Sequence, residues 1–154
     1  MKYSAILLAC MATLITLAMN TGARASEEKP IGLQDLRWKY RVILIFAREP
    51  YIYNALSNLD EFKADIEERD IAWFVLGDNT LHTNYKGKLD SQLREELMDS
   101  YFTPVPTETA VRLIGKDGML KSRSADLDLE ATFGLIDQMP MRRAEMRRKS
   151  EGLD

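Results

Sequence analysis

The sequence predicts an α/β domain in which helices flank a mixed four-stranded sheet, in the order βαβ-α-ββα. Two continuous apolar runs, residues 42–47 and 71–76, have the β-branched and aromatic content of strands that are covered on both faces. A stretch of helical periodicity lies between them, so together they predict a right-handed parallel crossover. Farther along, Lys116-Asp117-Gly118 predicts a hairpin, because Asp-Gly tolerates the backbone torsions of a tight turn.

The first half of the domain is predicted to contain a short helical turn, a strand, a long helix and a second strand. Leu33 and Leu36 are three positions apart, which favours one helical turn before the first strand. Residues 50–69 carry apolar side chains at steps of three and four, the pattern of one amphipathic helix. Pro50 suits the first turn of that helix, where its missing N–H costs no hydrogen bond.

The second half begins with a loop and continues through a helix to the hairpin. Residues 80–87 are polar and favour a loop. Apolar side chains then recur every four residues from Leu89 to Tyr101, which predicts the next helix. Strands at residues 109–114 and 119–123 are predicted to form the two arms of the hairpin.

A closing helix is predicted after the hairpin, capped by Asp126 or Asp128. Its buried stripe repeats at helical spacing: Leu129, Phe133 and Ile136. Pro140 interrupts this helix, because a proline inside a helix removes a backbone hydrogen bond. The predicted domain therefore covers residues 33–139, and residues 140–154 form a basic C-terminal helix or tail.

The N-terminus has the features of a signal peptide over residues 1–25. Lys2 precedes an uncharged apolar run at residues 4–19, and an A-x-A pattern ending at Ala25 offers the small side chains that a signal peptidase accepts. The alternatives are an uncleaved anchor helix, for which the run is short, and a lipoprotein modified at Cys10, past which the apolar run continues. Cleavage predicts a periplasmic or secreted protein.

Cleavage after Ala25 would leave an acidic chain without cysteine. Lys2 and Arg24 would leave with the leader and no acid would, so 19 of the 21 basic residues would face all 24 acidic ones, a net charge of −5. This balance argues against nucleic-acid binding. The single cysteine is Cys10, so the mature chain would lack the thiolate that thiol oxidoreductases need. Residues 26–32 are predicted to be a flexible lead-in.

The layout resembles that of thioredoxin. A strand ending at Ala47 is followed by a helix, and a Val-Pro-Thr segment containing Pro106 precedes the third strand, the hairpin and the final helix. The redox motif is missing, since residues 47–51 read AREPY where thioredoxins carry C-x-x-C. The resemblance therefore implies a thioredoxin-like scaffold without thiol chemistry.

Four segments carry a closer resemblance: residues 35–39 (DLRWK), 68–70 (ERD), 113–118 (LIGKDG) and 136–142 (IDQMPMR). In these segments the chain resembles the family called domain of unknown function 4174, which occurs in bacterial exported proteins and in some animal extracellular-matrix proteins. The resemblance covers about residues 33–148. It implies an exported thioredoxin-like domain with no established reaction.

Four cationic residues are candidates for binding an anion or a partner: Arg48, Lys116, Arg142 and Arg143. Arg48 precedes the helix at Pro50, whose free N–H groups favour negative charge, although an arginine paired with a nearby acid is a simpler interpretation. Lys116 is most simply a solvent-facing turn residue. Arg142 and Arg143 belong to a basic end that would suit an anionic lipid, polymer or protein, or is merely a solvated helix face.

No catalytic residue, metal site or cofactor is predicted, since His82 is the only histidine and no phosphate loop or catalytic triad appears. The favoured function is a non-redox binding module for a protein or a small anionic ligand. The chain is not expected to bind nucleic acid, and after cleavage it is not expected to retain a membrane-spanning segment. The alternative is an enzyme that uses Arg48, with Lys116 or Arg142, to hold a small anionic substrate at the Pro50 helix.

Overall fold

The computed structural model describes residues 29–153, so the predicted signal peptide lies outside the described chain. Its strands are Arg41–Phe46 (β1), Ile71–Leu76 (β2), Leu81–Thr83 (β3), Ala110–Ile114 (β4) and Leu120–Ser124 (β5). Its helices are Tyr51–Glu61 (α1), Lys63–Glu68 (α2), Leu93–Tyr101 (α3), Leu129–Asp137 (α4) and Pro140–Ser150 (α5), and a 3-10 turn at Leu33–Leu36 precedes β1.

The five strands form one mixed sheet in the order β3-β2-β1-β4-β5. β1 and β2 are parallel over their whole length, whereas β4 is antiparallel to β1 and β5 is antiparallel to β4. The predicted parallel crossover, the hairpin and the α/β class with helices on both faces of a mixed sheet are confirmed. The predicted strand number was one too low, because β3 lies within the expected loop at residues 80–87. Its three residues include only one apolar side chain, Leu81, so they gave no strand pattern.

The sheet separates two hydrophobic layers, because successive strand residues point to opposite faces. On one face, Ile43 and Ile45 pack with Leu59 of α1, Ile66 of α2 and Phe133 of α4. On the other face, the core is formed around α3 and the 3-10 turn: Leu36, Leu44, Phe46, Phe74, Leu97 and Phe102. This double coverage explains why β1 and β2 are apolar without interruption.

The predicted long helix over residues 50–69 is two helices that meet at Phe62. Phe62 leaves helical torsion angles, and its ring packs edge-on against Phe133 with the ring centres 5.8 Å apart. α3 begins at Leu93 instead of Leu89, because Leu89 forms a parallel bridge with Ile31. Ile31 belongs to the predicted lead-in, so this part of the lead-in contacts the domain.

The hairpin and the closing helix use the expected turn and cap chemistry. Gly118 adopts a φ of 78° in the β4–β5 turn, a conformation that favours glycine. Asp128 caps α4 by accepting a 2.8 Å hydrogen bond from the N–H of Ala131. α5 is a separate helix beginning at Pro140. Within residues 29–153, no helix combines the length and apolar character that crossing a bilayer requires.

Candidate functional site

Arg48 lies just beyond the carboxyl end of β1 and is already paired. Its Nε lies 3.3 Å from an oxygen of Asp78, and its Nη1 donates a 3.4 Å hydrogen bond to the carbonyl of Thr107. The side chain is 45% exposed. The structure thus gives Arg48 a nearby acid at the sheet end from which α1 begins. The cis peptide bonds of the described chain precede Pro50 and Pro104.

Lys116 lies at the opposite end of the sheet from Arg48. β4 runs antiparallel to β1 and places Ile114 beside Val42, so Lys116 follows β4 near the start of β1. At about 3.3 Å per residue, β1 separates the two ends by roughly 17 Å. Lys116 and Arg48 therefore do not form one anion site.

The solvent-facing interpretation of Lys116 is wrong. Its side chain is only 10% exposed, and its Nζ lies 2.8 Å from carboxylate oxygens of both Asp70 and Glu145. Glu145 belongs to α5, so the turn residue joins the hairpin to the last helix. The turn sequence gave no sign of this, because the partner lies 29 positions away.

Arg142 and Arg143 are neighbours on α5 but point to different surroundings. Arg142 is 5% exposed and donates hydrogen bonds to Asp137 at 3.1 Å and to the carboxylate and carbonyl of Glu68 at 3.0 and 3.1 Å. Arg143 is exposed. Only Arg142 comes near Lys116, since Glu145 lies within 4.0 Å of both cations.

Arg41 is the most deeply buried cation of the described chain and was not among the predicted site residues. It is 1% exposed, and it donates hydrogen bonds to the carbonyl of Arg69 at 2.8 Å and to Glu145 at 3.0 Å. The one available signal was an arginine at the start of an otherwise apolar strand. A charge in that position needs a partner, because an unpaired buried charge is costly.

Arg69 is a second cation that was not among the predicted site residues. Its guanidinium makes a two-point contact with Asp137, at 3.2 and 2.8 Å, and a further ion pair with Asp65 at 3.0 Å. It also lies 4.7 Å from the ring centre of Phe133, a cation–π distance. Arg69 thereby fastens the end of α2 to the end of α4.

These contacts form one ion-pair network, in which the 4.0 Å contact between Arg142 and Glu145 joins two groups of ion pairs. The network consists of Arg41, Arg69, Lys116, Arg142, Asp65, Glu68, Asp70, Asp137 and Glu145. The hydrogen bond from Arg142 lowers the pKa of Glu68 below its usual value. Burial by itself would raise the pKa of Asp137, but hydrogen bonds from Arg69 and Arg142 outweigh it and lower that pKa. Both carboxyls are therefore held in their charged form.

The ion-pair network is a structural clamp and offers little attraction to an added anion. Its four cations, together with Lys149 at 3.6 Å from Glu68, face five carboxylates, so every cation is already neutralised. The four segments that carry the family resemblance meet here. Residues 68–70, 113–118 and 136–142 supply network side chains, and Trp38 of the remaining segment donates a 2.6 Å backbone hydrogen bond to the carbonyl of Lys116.

A groove of about 760 Å³ lies beside β2, between the α1–α2 pair and the segment after β3. We call it the sheet-edge groove; it is lined by Tyr40, Leu56, Leu59, Asp60, Lys63, Ile66, Glu67, Asp70, Ile71, Ala72, Trp73, Asn84, Tyr85, Lys86 and Gly87. Its volume is in the range of small-ligand sites. Trp73 is half-buried within it, and the rings of Tyr40 and Tyr85 meet edge-on at 6.0 Å.

The sheet edge inside this groove is closed by the side chain of Asn84. β3 pairs only with residues 74–76 of β2. Beyond that point, Asn84 accepts a 2.9 Å hydrogen bond from the N–H of Trp73 and donates one of the same length to the carbonyl of Ile71. The side-chain amide thus occupies positions that a further strand would use.

Two solved structures resemble the chain in part. The exposed lipoprotein thioredoxin Etrx1 of Streptococcus pneumoniae strain TIGR4 has 12% sequence identity and a TM-score of 0.47, over 69% of this chain and 89% of that one. The mitochondrial 2-Cys peroxiredoxin of Plasmodium falciparum has 13% identity and a TM-score of 0.47, over 78% and 83%. No curated protein matches the chain at a significant level.

The family comparison covers most of the chain. The model of the domain of unknown function DUF4174 matches residues 32–145, a range that runs from the 3-10 turn to the middle of α5. It includes every residue of the ion-pair network and the whole sheet-edge groove. The chain belongs to the family of the domain of unknown function DUF4174.

Proposed function

We propose that this chain is an exported, non-redox binding module and that the sheet-edge groove receives a protein partner. The observation that carries the proposal is the groove itself. It has a volume of about 760 Å³ and is lined in part by the half-buried Trp73. Export rests on the leader pattern of residues 1–25. The non-redox assignment rests on the sequence of residues 29–153, which contains no cysteine.

The lining of the groove favours a protein side chain over a bare anion. Trp73 offers the large, rigid apolar surface on which interfaces commonly depend. At the rim, the exposed cations Lys63 and Lys86 are balanced by the exposed acids Asp60 and Glu67. Such a lining suits an apolar side chain that is flanked by charges of both signs.

The closed sheet edge argues against recognition by strand addition. A partner strand would need the outward N–H of Trp73 and carbonyl of Ile71, and Asn84 already bonds to both. Recognition through side chains remains, which is the reason for proposing an apolar anchor. The alternative, an enzyme for a small anion at the α1 terminus, has little support because Arg48 is paired with Asp78 and the other candidate cations lie elsewhere.

Site-specific photo-crosslinking in the host cell tests the groove. The photoreactive residue p-benzoylphenylalanine replaces Lys86, at the groove rim, or Lys88, which is also exposed but does not line the groove. We expect a discrete adduct from position 86 and none from position 88. Equal adducts at both positions, or none at 86, would contradict the proposal.

Reconstitution with the partner identified in this way completes the test. Reversing both rim cations, Lys63→Glu with Lys86→Glu, is expected to weaken binding of the purified partner by about tenfold or more, because partner acids that met these cations would be repelled. The matched control is Lys88→Glu, which changes charge away from the groove and is expected to leave binding unchanged. Export is tested separately by mass spectrometry of the chain recovered from the host, for which we expect an N-terminus at Ser26.

A further inference from the structure

The two faces of α5 have different roles in the structure. The inner face carries Arg142 and Glu145, which are fixed in the ion-pair network, and Lys149, whose Nζ lies 3.6 Å from Glu68. The outer face carries exposed arginines: Arg143, Arg147 and Arg148. At 100° per residue, these three lie within one half of the helix circumference, on the side away from Arg142.

The outer arginines have no acidic partner and lie together on one helix face, whereas the other unpaired arginines of the described chain lie elsewhere in the fold: Arg37, Arg112 and Arg123. Within residues 29–153, none of Arg143, Arg147 and Arg148 takes part in an ion pair. The 21 basic and 24 acidic residues give the whole chain a net charge of −3. The three unpaired arginines therefore form a positive patch on an acidic protein. The electric field of this patch attracts anions to the outer face of α5.

Apolar side chains are interspersed with these arginines. Met141 lies about two helical turns before Arg148, on the same side of α5, and is 40% exposed. Ala144 lies between Arg147 and Arg148 around the helix circumference. Leu153, just beyond the helix, is 67% exposed. A basic helix face with a few exposed apolar side chains suits the headgroup layer of a membrane, where the charges supply most of the attraction.

We propose that the outer face of α5 docks the protein onto an anionic phospholipid surface. The arginines supply attraction to phosphate headgroups, and Met141 and Leu153 supply apolar contact with the outer part of the acyl layer. A nucleic acid would use the charges but would leave the apolar side chains exposed, which is why lipid is favoured. This surface shares no residue with the lining of the sheet-edge groove.

The ion-pair network makes this docking helix preformed. Arg41 and Lys116 hold Glu145 at 3.0 and 2.8 Å, so the inner face of α5 is fixed to the domain before any lipid is met. A helix that is already folded loses little conformational entropy on binding. The clamp thus presents the outer arginines in a fixed orientation.

Vesicle cosedimentation tests the proposal with the protein as its host cell processes it. We expect binding to vesicles of equal parts phosphatidylglycerol and phosphatidylcholine, and little binding to phosphatidylcholine alone. Each arginine near an anionic surface contributes about fivefold to the partition coefficient. The triple variant Arg143→Gln, Arg147→Gln, Arg148→Gln should therefore bind about 100-fold more weakly, and raising the salt from about 0.05 M to about 0.5 M should weaken the wild type strongly.

A charge-matched control separates this surface from net charge. Lys29→Gln, Lys88→Gln and Arg123→Gln remove three exposed charges outside α5, and this variant should bind the vesicles nearly as well as the wild type. Circular dichroism and thermal unfolding of each variant show whether it is folded. Three results would overturn the proposal. They are an equal loss of vesicle binding in the two triple variants, the lack of a preference for anionic vesicles, and tighter binding to a short DNA duplex than to the vesicles.

Discussion

The guanidinium of Arg41 and the carboxylate of Glu145 are joined by a 3.0 Å hydrogen bond across 104 positions of sequence. Arg41 begins the central strand and is 1% exposed, whereas Glu145 belongs to the last helix and its side chain is 17% exposed. Because Glu145 also pairs with Lys116, one carboxylate ties α5 to both β1 and the hairpin turn. The network therefore explains how a helix of mostly polar residues is held against the domain.

Removal of this carboxylate is expected to destabilise the whole fold. In Glu145→Ala, Arg41 keeps its burial but loses its charged partner, and breaking a buried ion pair in this way costs on the order of 3 kcal/mol. Urea unfolding of wild type and variant measures the change in the free energy of unfolding. The control is Glu151→Ala, an exposed acid just past the end of α5, which should change stability by less than about 0.5 kcal/mol.

Hydrogen exchange distinguishes the clamp from a generally weakened fold. If Glu145 holds α5, the substitution Glu145→Ala should speed the amide exchange of α5. The increase over the wild-type rate should be larger for the amides of α5 than for those of β1. If Glu145→Ala is as stable as the control Glu151→Ala, the role given to Glu145 is wrong.

Acid is expected to weaken the clamp through Glu68 and Asp137. Both have a folded-state pKa below the usual value, with hydrogen bonds from Arg142 contributing to each shift. The unfolded chain therefore binds more protons than the folded chain as the pH falls below about 4.5. This contribution to stability is fully present above that range and is lost as the pH drops through the lowered values.

Urea midpoints measured between about pH 7 and pH 3 show whether the stability falls as the pH is lowered. The wild type should lose stability on the acid side of this range. In Arg142→Met, the pKa of Glu68 should rise toward its ordinary value, so the acid loss should be smaller although the variant is less stable at neutral pH. Parallel curves for the two proteins would contradict the coupling.

The fold could be predicted largely from local patterns. Continuous apolar runs predict β1 and β2, and Gly118 predicts the hairpin turn. The errors occurred where tertiary contacts override local pattern. Phe62 interrupts the predicted long helix as it packs against Phe133, and Leu89 leaves the helical pattern to pair with Ile31.

The site could be predicted only in part, because ion pairs between distant segments leave no periodic signal. Lys116 and Arg142 were named as candidates, yet their partners lie 29 and 74 positions away, and the sequence could not show that these charges are neutralised. Arg41 and Arg69 were missed for the same reason. The groove beside Trp73 depends on how α1, α2 and the segment after β3 are spaced, which no motif encodes.

The processed chain is expected to have no thiol redox activity. Cys10 is the single cysteine of the sequence, and residues 47–51 supply no nucleophile of that kind at the start of α1. In an insulin reduction assay with dithiothreitol, the protein should give the rate of the buffer blank, with a thioredoxin as the active control. Reduction above the blank by a preparation in which no thiol is detected would contradict the assignment.

The amide of Asn84 is expected to keep the edge of β2 from pairing with another chain. In Asn84→Ala, the N–H of Trp73 and the carbonyl of Ile71 lose their side-chain partner, and each unsatisfied group costs about 1–3 kcal/mol unless water replaces it. The exposed edge then becomes a template for strand addition. Sedimentation velocity should show concentration-dependent dimers of this variant, whereas Asn79→Ala, which alters an exposed turn residue, should sediment like the wild type. If Asn84→Ala keeps both the stability and the sedimentation of the wild type, the edge is protected by the neighbouring loop and not by this side chain.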